Sequence, residues 1–316
     1  KNIRCNCKTT ATKYQMDIIK TDTLSKFFGT TPASDDISIH VREGEIYGFL
    51  GLNGAGKTTL IRMLLGMIKP DKGNISLFGK QLTPQFNQWN DIGYLVETPY
   101  SYPNLSVIEN LKVYFKLRQL TNLKLIDDII EKLKLTNYKD KKANVLSLGN
   151  QQRLGLAKAL MHKPKLLILD EPINGLDPEG IVEVRELLKD FSNNGSTVFL
   201  SSHILGEISK VANRIGIIHE GKLVKELTTN ELTDQLIKKI IVTTVDNRKA
   251  VQQLISSNYK AVLTENNEIE VTNSEAIANP ENISKLLVEN NLPPKQVYLF
   301  TEDLEMYFLR TIRNKV

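Results

Sequence analysis

The segment that most restricts what this chain can fold into lies at residues 45–65. An apolar run, Ile46-Tyr47-Gly48-Phe49-Leu50, leads into Gly51-Leu52-Asn53-Gly54-Ala55-Gly56-Lys57-Thr58, after which Leu60, Ile61, Leu64 and Leu65 recur at helical spacing. That order is strand, glycine loop, helix. Glycines at 51, 54 and 56 let several backbone N–H groups surround a polyphosphate, and the positive end of the helix dipole points at the same place. Lys57 then reaches the terminal phosphates and Thr58 offers its hydroxyl to Mg²⁺, with Asn53, Ala55 and Thr59 in the same ATP-binding set. A glycine-rich turn that matches by chance is the competing reading, and the flanking strand and helix weigh against it. The expectation is a chain that binds MgATP and hydrolyses it.

A second element supports this chemistry. Leu166-Leu167-Ile168-Leu169 reads as a strand buried on both faces of a parallel sheet, and it ends in Asp170-Glu171. Open α/β sheets place their ligands at such strand ends. Asp170 is expected to hold Mg²⁺ through its water shell, and Glu171 to orient and polarise the attacking water. Alone, an acidic pair after an apolar run is a strand meeting solvent; with the glycine loop upstream the functional reading prevails. Val198-Phe199-Leu200 and Ile215-Gly216-Ile217-Ile218 repeat the strand pattern, and helical stretches at Ile181–Phe191 and Ile204–Val211 precede them.

Between the glycine loop and the acidic strand, about residues 100–162 read as a helical subdomain. Ser106-Val107-Ile108-Glu109 has capping-box form, and Leu111, Phe115, Ile126, Ile129, Ile130 and Leu133 keep a helical period. From about residue 17 to Leu227 the chain therefore reads as one nucleotide-binding domain. Residues 228–316 change texture, with strand-like Ile240-Ile241-Val242-Thr243-Thr244, a helix-like Ala250–Ser256, two more strand-like runs and an amphipathic Glu302–Ile312. These are expected to form a small accessory α+β domain, with Asn279-Pro280 and Pro293-Pro294 as loops. Residues 1–16 are polar and patternless and are expected to be a disordered tail, or to precede a natural start at Met16. Cys5 and Cys7 lie there with no second pair to complete a zinc site.

Composition sets bounds only. A length of 316 residues with 41% hydrophobic content supports one substantial core and a smaller second one. No apolar run is long enough to cross a bilayer, and a net charge of +5 permits anionic partners without requiring them. The basic stretch Lys132, Lys134, Lys139, Lys141 and Lys142 reads most simply as a solvated surface, with nucleic-acid binding as the alternative.

A third motif makes the pattern specific. Leu146-Ser147-Leu148-Gly149-Asn150-Gln151-Gln152-Arg153 opens a helix shortly before the acidic pair. In this order and spacing the chain resembles the ATP-binding subunits of ABC transporters over about residues 18–225. The resemblance implies a P-loop NTPase core of the ABC ATPase type and a head-to-tail dimer. In such a dimer Ser147 and Gly149 face the γ-phosphate of ATP bound to the other protomer. It implies further that Phe28 stacks on adenine, that Asp177 in Asn174-Gly175-Leu176-Asp177 lies in the dimer-interface loop, and that His203 is the switch histidine contacting the γ-phosphate. His40, His162 and His219 carry no such implication. Two departures stand out: Glu97 occupies the place of the usual Gln, able to contact ATP or Mg²⁺ but adding charge beside the phosphates, and Leu148 and Asn150 stand where Gly and Gln are usual. Together with Tyr102-Pro103-Asn104-Leu105-Ser106 and Leu304-Glu305-Met306-Tyr307-Phe308, these departures are similar to the ATPases of bacitracin-export and lantibiotic-immunity transporters.

The resemblance implies a multi-span membrane permease as partner, a homodimer or a heterodimer with a related ATPase, a place on the cytoplasmic face of the membrane, and a peptide-antibiotic cargo handled by the permease. No nucleic acid is expected as partner. The competing function is a non-transport ABC ATPase acting on ribosomes or nucleic acid, and co-purification with a permease or with ribosomes would separate the two. A third possibility, a pseudo-enzyme that senses ATP, would be expected to lack Glu171 or His203, and both are present.

Overall fold

The computed structural model describes residues 16–97 and 99–313. The expected tail, apart from Met16, and both cysteines lie outside the described residues. The chain divides into two compact units at Thr229/Asn230.

The first unit is built on two sheets. One is antiparallel and consists of β1 (Asp17–Phe28), β2 (Thr31–Arg42), β4 (Lys72–Leu77) and β5 (Lys80–Gln81), in the order β2-β1-β4-β5. The larger consists of β3 (Ile46–Leu50), β6 (Ile92–Leu95), β7 (Leu166–Leu169), β8 (Thr197–Ser202), β9 (Arg214–His219) and β10 (Lys222–Thr228), in the order β10-β9-β3-β8-β7-β6. Every pairing from β6 to β9 is parallel, and only β10 runs antiparallel to its neighbour. The central strands are buried on both faces, which is why β7 is four consecutive aliphatic residues.

The hairpin β1–β2 spans residues 17–42, and polar residues inside it are paired across the strands. The Thr21 hydroxyl donates to the Ile37 carbonyl at 2.9 Å and accepts from the Ile39 N–H at 3.0 Å, so a buried threonine continues the strand.

Helix α1 (Lys57–Leu64) joins the two sheets through one core, where Ile19, Ile39, Leu60 and Met63 meet Phe49 and Phe199. Tyr47 stacks on Phe199 with ring centroids 5.6 Å apart. The helical segment comprises α2 (Val107–Leu117), α3 (Lys124–Lys132) and α4 (Leu148–Leu160), and the six apolar positions read as a helical period are all buried. Ser106 caps α2 in the expected box: its hydroxyl accepts from the Glu109 N–H, and the Glu109 carboxylate accepts from the Ser106 N–H at 2.7 Å. Helix α5 (Pro178–Asn193) follows β7. Helix α6 is only Leu205–Ile208, shorter than the stretch to Val211 predicted from the sequence. Gly206 lies inside it and Ser209 turns its hydroxyl back onto the Gly206 carbonyl, which closes it after one turn.

His162, just after α4, is pinned where the helices meet the sheet. One ring nitrogen, Nε2, lies 3.2 Å from the Ile92 carbonyl, which also accepts from Arg118 at the end of α2. Burial and the nearby Arg118 guanidinium push His162 down to about 4. The folded protein therefore holds this ring neutral while the unfolded chain takes up a proton below its ordinary value of about 6.5. Stability from this residue is full above pH 6.5 and is lost as pH falls toward 4. Between pH 8 and pH 5 the loss, discounted for partial solvent access, is about 1–2 kcal/mol. Urea denaturation of wild type and His162→Gln at both pH values should show the pH sensitivity shrinking by that amount in the variant; equal sensitivity would exclude this role.

The second unit opens within α7 (Thr229–Gln235). Its four-stranded antiparallel sheet consists of β11 (Lys238–Thr244), β12 (Ala261–Leu263), β13 (Ile269–Val271) and β14 (Pro294–Thr301), in the order β12-β13-β11-β14. Helices α8 (Asn247–Ser256), α9 (Ser274–Ala278) and α10 (Pro280–Glu289) contribute to its core, where Ile240, Val242, Leu254, Ile269, Ile283 and Leu287 are buried. The chain ends in α11 (Leu304–Arg313), whose start is set by the Asp303 carboxylate accepting from the Met306 N–H. Two proline signals differ from expectation. Pro280 is the first residue of α10, where its missing N–H costs nothing, and Pro294 is the first residue of β14, a sheet edge. Among the described residues no helix is long and apolar enough to cross a membrane.

Candidate active site

The phosphate loop connects β3 to α1 and is fixed by close backbone approaches. Gly51 donates to the Ser202 carbonyl at the end of β8, and a Cβ at Gly51 would sit 2.6 Å from the Ile218 side chain. Gly56 has φ +108°, and a Cβ there would lie 2.1 Å from the Ala33 carbonyl oxygen on β2. Gly56 caps α1 without any side-chain hydrogen bond, and the first turn carries no acidic residue. The opening N–H groups of α1 are thus left for an anion.

They face a cavity of about 360 Å³ lined by Asn53, Gly54, Gly56, Lys57, Thr58 and Thr59 on the loop side, with Ala33, Arg62, Glu97 and Glu171 around them. Lys57 is 6% exposed. Its ammonium donates to the carbonyls of Gly51 at 2.7 Å and Leu52 at 3.2 Å and lies 3.2 Å from Glu171 Oε1. That last contact is a charge contact only, because Glu171 Oε1 has no hydrogen-bond partner. That oxygen is buried at the edge of the cavity, with the Lys57 ammonium as its charge partner.

The acidic pair is held by β8. Parallel register sets Leu169 opposite Leu200, so Ser201 follows beside Asp170. The Ser201 hydroxyl donates to Asp170 Oδ1 and accepts from the Glu171 N–H at 3.0 Å. Asp170 Oδ2 takes the Thr58 hydroxyl at 2.7 Å. Glu171 stands at φ +47°, and its carbonyl accepts from Gln152 on α4 at 3.1 Å. Its second carboxylate oxygen lies 2.9 Å from His203 Nδ1. A carboxylate only accepts, so Nδ1 carries the proton and Nε2 of the neutral ring is left as an acceptor.

The residues here fit a divalent magnesium ion shared with a polyphosphate. The donors are hard oxygens, Thr58 and Asp170, and both Asp170 oxygens are already hydrogen-bonded, which suits contact through water. Among the described residues no group of three or more acidic, His or Cys side chains converges on a metal, so the remaining ligands fall to phosphate and water. Glu97 lines the same cavity, but its carboxylate is turned to Arg62 Nη2 at 2.6 Å.

The remaining expected residues lie elsewhere. Phe28 ends β1, is 55% exposed and sits under the Lys26 ammonium, outside the cavity lining. Ser147 caps α4 by accepting from the Asn150 N–H, and Asp177 caps α5 by accepting from Gly180. These two caps belong to loops that touch: a Cβ at Gly149 would lie 2.9 Å from the Gly175 carbonyl, and Leu148 packs directly on Gly175. Arg62, Ser201 and Ala33 escaped the sequence reading, and Gln152 stood in the quoted Leu146–Arg153 motif without a role. Only Ser201, next to the quoted His203, carried a signal, as a hydroxyl ending a buried strand.

A family model described as ABC transporter matches residues 34–174. The bacitracin transport ATP-binding protein of Bacillus licheniformis is 39% identical over 308 residues, which is 93% of this chain and 97% of that protein. The chain belongs to the ATP-binding subunits of ABC transporters. This ABC subunit is also 36% identical over 227 residues to the lantibiotic transport ATP-binding protein of Streptococcus pyogenes, covering 71% of the chain and 98% of that relative. Among solved structures it is similar to an ATP-binding subunit of an ABC transporter, at TM-score 0.63 and 26% identity over 69% of this chain and 92% of that one. Family membership makes it an ATPase, and the α/β core with its phosphate loop is the fold of that family.

Proposed function

We propose that this ABC ATPase dimerises head to tail around two MgATP molecules at the cytoplasmic face of the membrane and drives a separate permease that exports a membrane-active peptide antibiotic. The observation that carries the cargo reading is the extent of the bacitracin-type likeness. It runs through 93% of the chain and so includes the second unit as well as the nucleotide-binding one. The dimer reading is supported by what the cavity lacks: its lining, among the described residues, includes neither Ser147 nor Gly149. In a head-to-tail dimer those residues would close the partner's cavity.

In this reading Lys57 and the α1 N–H groups bind the terminal phosphates, and Thr58 and Asp170 hold magnesium, which supplies charge neutralisation at the phosphates. Glu171 accepts the proton of the attacking water, and His203 holds the Glu171 carboxylate in place through Nδ1–H. Phe28 stacks on the base. Closing on ATP and opening after hydrolysis is the stroke delivered to the permease.

A ribosome- or nucleic-acid-directed ATPase fits the surface less well. Lys134 is paired with Glu179 and Glu183, Lys139 with Asp127, and Lys141 lies over the Tyr138 ring. Two of the five lysines of the basic stretch are thus paired with carboxylates within the chain. Tagging the chain in its native cells, solubilising membranes gently and identifying co-purified proteins should yield a stoichiometric multi-span partner. Ribosomal subunits or DNA in its place would overturn the transport reading.

A further inference from the structure

Two cavities of the nucleotide-binding unit share a wall. Beside the phosphate cavity lies a groove of about 440 Å³ faced by Tyr94, Tyr100, Tyr102 and Tyr114, and among the described residues only Arg62 and Glu97 line both. The two are joined by the 2.6 Å ion pair, and neither is buried: their side chains are 40% and 56% exposed. Glu97 follows β6 at φ +54°, a backbone setting that an ordinary side chain adopts at some cost. Its carboxylate reaches Arg62 from the wall that the two cavities share. The charges lining the phosphate cavity balance as two cations, Lys57 and Arg62, against two anions, Glu171 and Glu97. Lys57 meets Glu171, and Arg62 meets Glu97.

We propose that Arg62 is a positioning residue that masks the Glu97 carboxylate from the polyphosphate and competes with the divalent cation for it. The inference rests on the MgATP reading of the cavity and gives Arg62 two effects of opposite sign. Without metal, an unmasked Glu97 repels ATP, so Arg62 favours nucleotide binding. With metal, Glu97 leaves Arg62 before it can serve the cation, so Arg62 opposes the metal's contribution. A residue that merely supported the loop would move both measurements in the same direction.

The test is titration of a fluorescent ATP analogue into the full chain in EDTA, and then of Mg²⁺ into the ATP-loaded chain, for wild type, Arg62→Met, Glu97→Gln and the double variant. Arg62→Met should weaken metal-free binding about threefold and lower the Mg²⁺ concentration for half-effect about threefold. Those factors are the size expected for a half-exposed pair, and both should shrink in about 0.5 M salt, where charges are screened beyond about 4 Å. Glu97→Gln alone should tighten metal-free binding by a similar factor, which keeps the inference testable if Arg62→Met does not fold. In the double variant the Mg²⁺ effect of Arg62→Met should vanish, while part of the metal-free effect remains because the guanidinium is itself a cation at the cavity. Shifts of the same sign with and without metal, or a Mg²⁺ effect of Arg62→Met undiminished when Glu97→Gln is also present, would overturn the proposal. Failure of the wild type to bind the analogue at all would instead overturn the cavity reading beneath it.

Discussion

Turnover in the Glu171→Gln variant is expected to fall by about a hundredfold or more while ATP binding persists, because the amide keeps the size of the side chain but cannot accept a proton. The effect is large because Glu171 is the carboxylate fixed at the end of β7 beside the phosphate cavity. One oxygen faces the Lys57 ammonium without a hydrogen bond and the other is held by His203, so the side chain is aimed. Its backbone is held by Ser201 and Gln152, neither of which depends on the carboxylate, and so the fold should be undisturbed. With hydrolysis stopped, the ATP-closed dimer of the proposed cycle should accumulate and elute at twice the protomer mass in MgATP. Phosphate release measured alongside size-exclusion chromatography checks both parts. Wild-type turnover would remove Glu171 from the catalytic role.

Gly56→Ala should be nearly as severe, for a steric reason. The new Cβ would meet the Ala33 carbonyl oxygen at 2.1 Å, and the φ of +108° is one that L side chains rarely adopt. Strain and overpacking together amount to about 3–5 kcal/mol, which the loop can relieve only by leaving β2. Since Gly56 is the cap of α1, that movement carries Lys57 and Thr58 with it, and ATP affinity should drop by about a hundredfold or more. Gly54→Ala is the comparison for folding: its φ is +82°, yet a Cβ there meets no protein atom within 4 Å, so its cost to stability should be the backbone strain alone. Nucleotide calorimetry with thermal melting on the two variants compares them, and equal melting temperatures would mean that the approach to Ala33 is immaterial.

The strand, glycine loop and helix at residues 46–64 could be read from sequence because the pattern there is local: an apolar run, a turn marked by glycines and a helical period follow one another directly. The buried strand ending in Asp170 was equally plain, since both faces of β7 are covered and its residues are uniformly aliphatic. Reading failed where a residue's meaning depends on what lies across the sheet. Thr21 resembles a turn residue until Ile37 and Ile39 are placed opposite it. Pro280 and Pro294 break chains in the abstract but begin elements here, because a helix start and a sheet edge each have an N–H to spare. Arg62 shows the same limit within the site: nothing in Leu60-Ile61-Arg62-Met63 distinguishes a solvent-facing arginine from the partner of a carboxylate 35 residues on.

The contact between Leu148 and Gly175 ties together two loops that α4 and β7 separate along the chain. Gly175 has no side chain, and the space one would occupy is taken by Leu148; the next residue, Gly149, stands against the Gly175 carbonyl. The two loops therefore form a single interlocked block. A chain that traded Gly175 for any larger residue would set its Cβ 2.6 Å from the Leu148 side chain and push the start of α4 aside. The dependence runs one way: a segment borrowed from a relative with a larger residue at 175 has to bring a smaller one at 148.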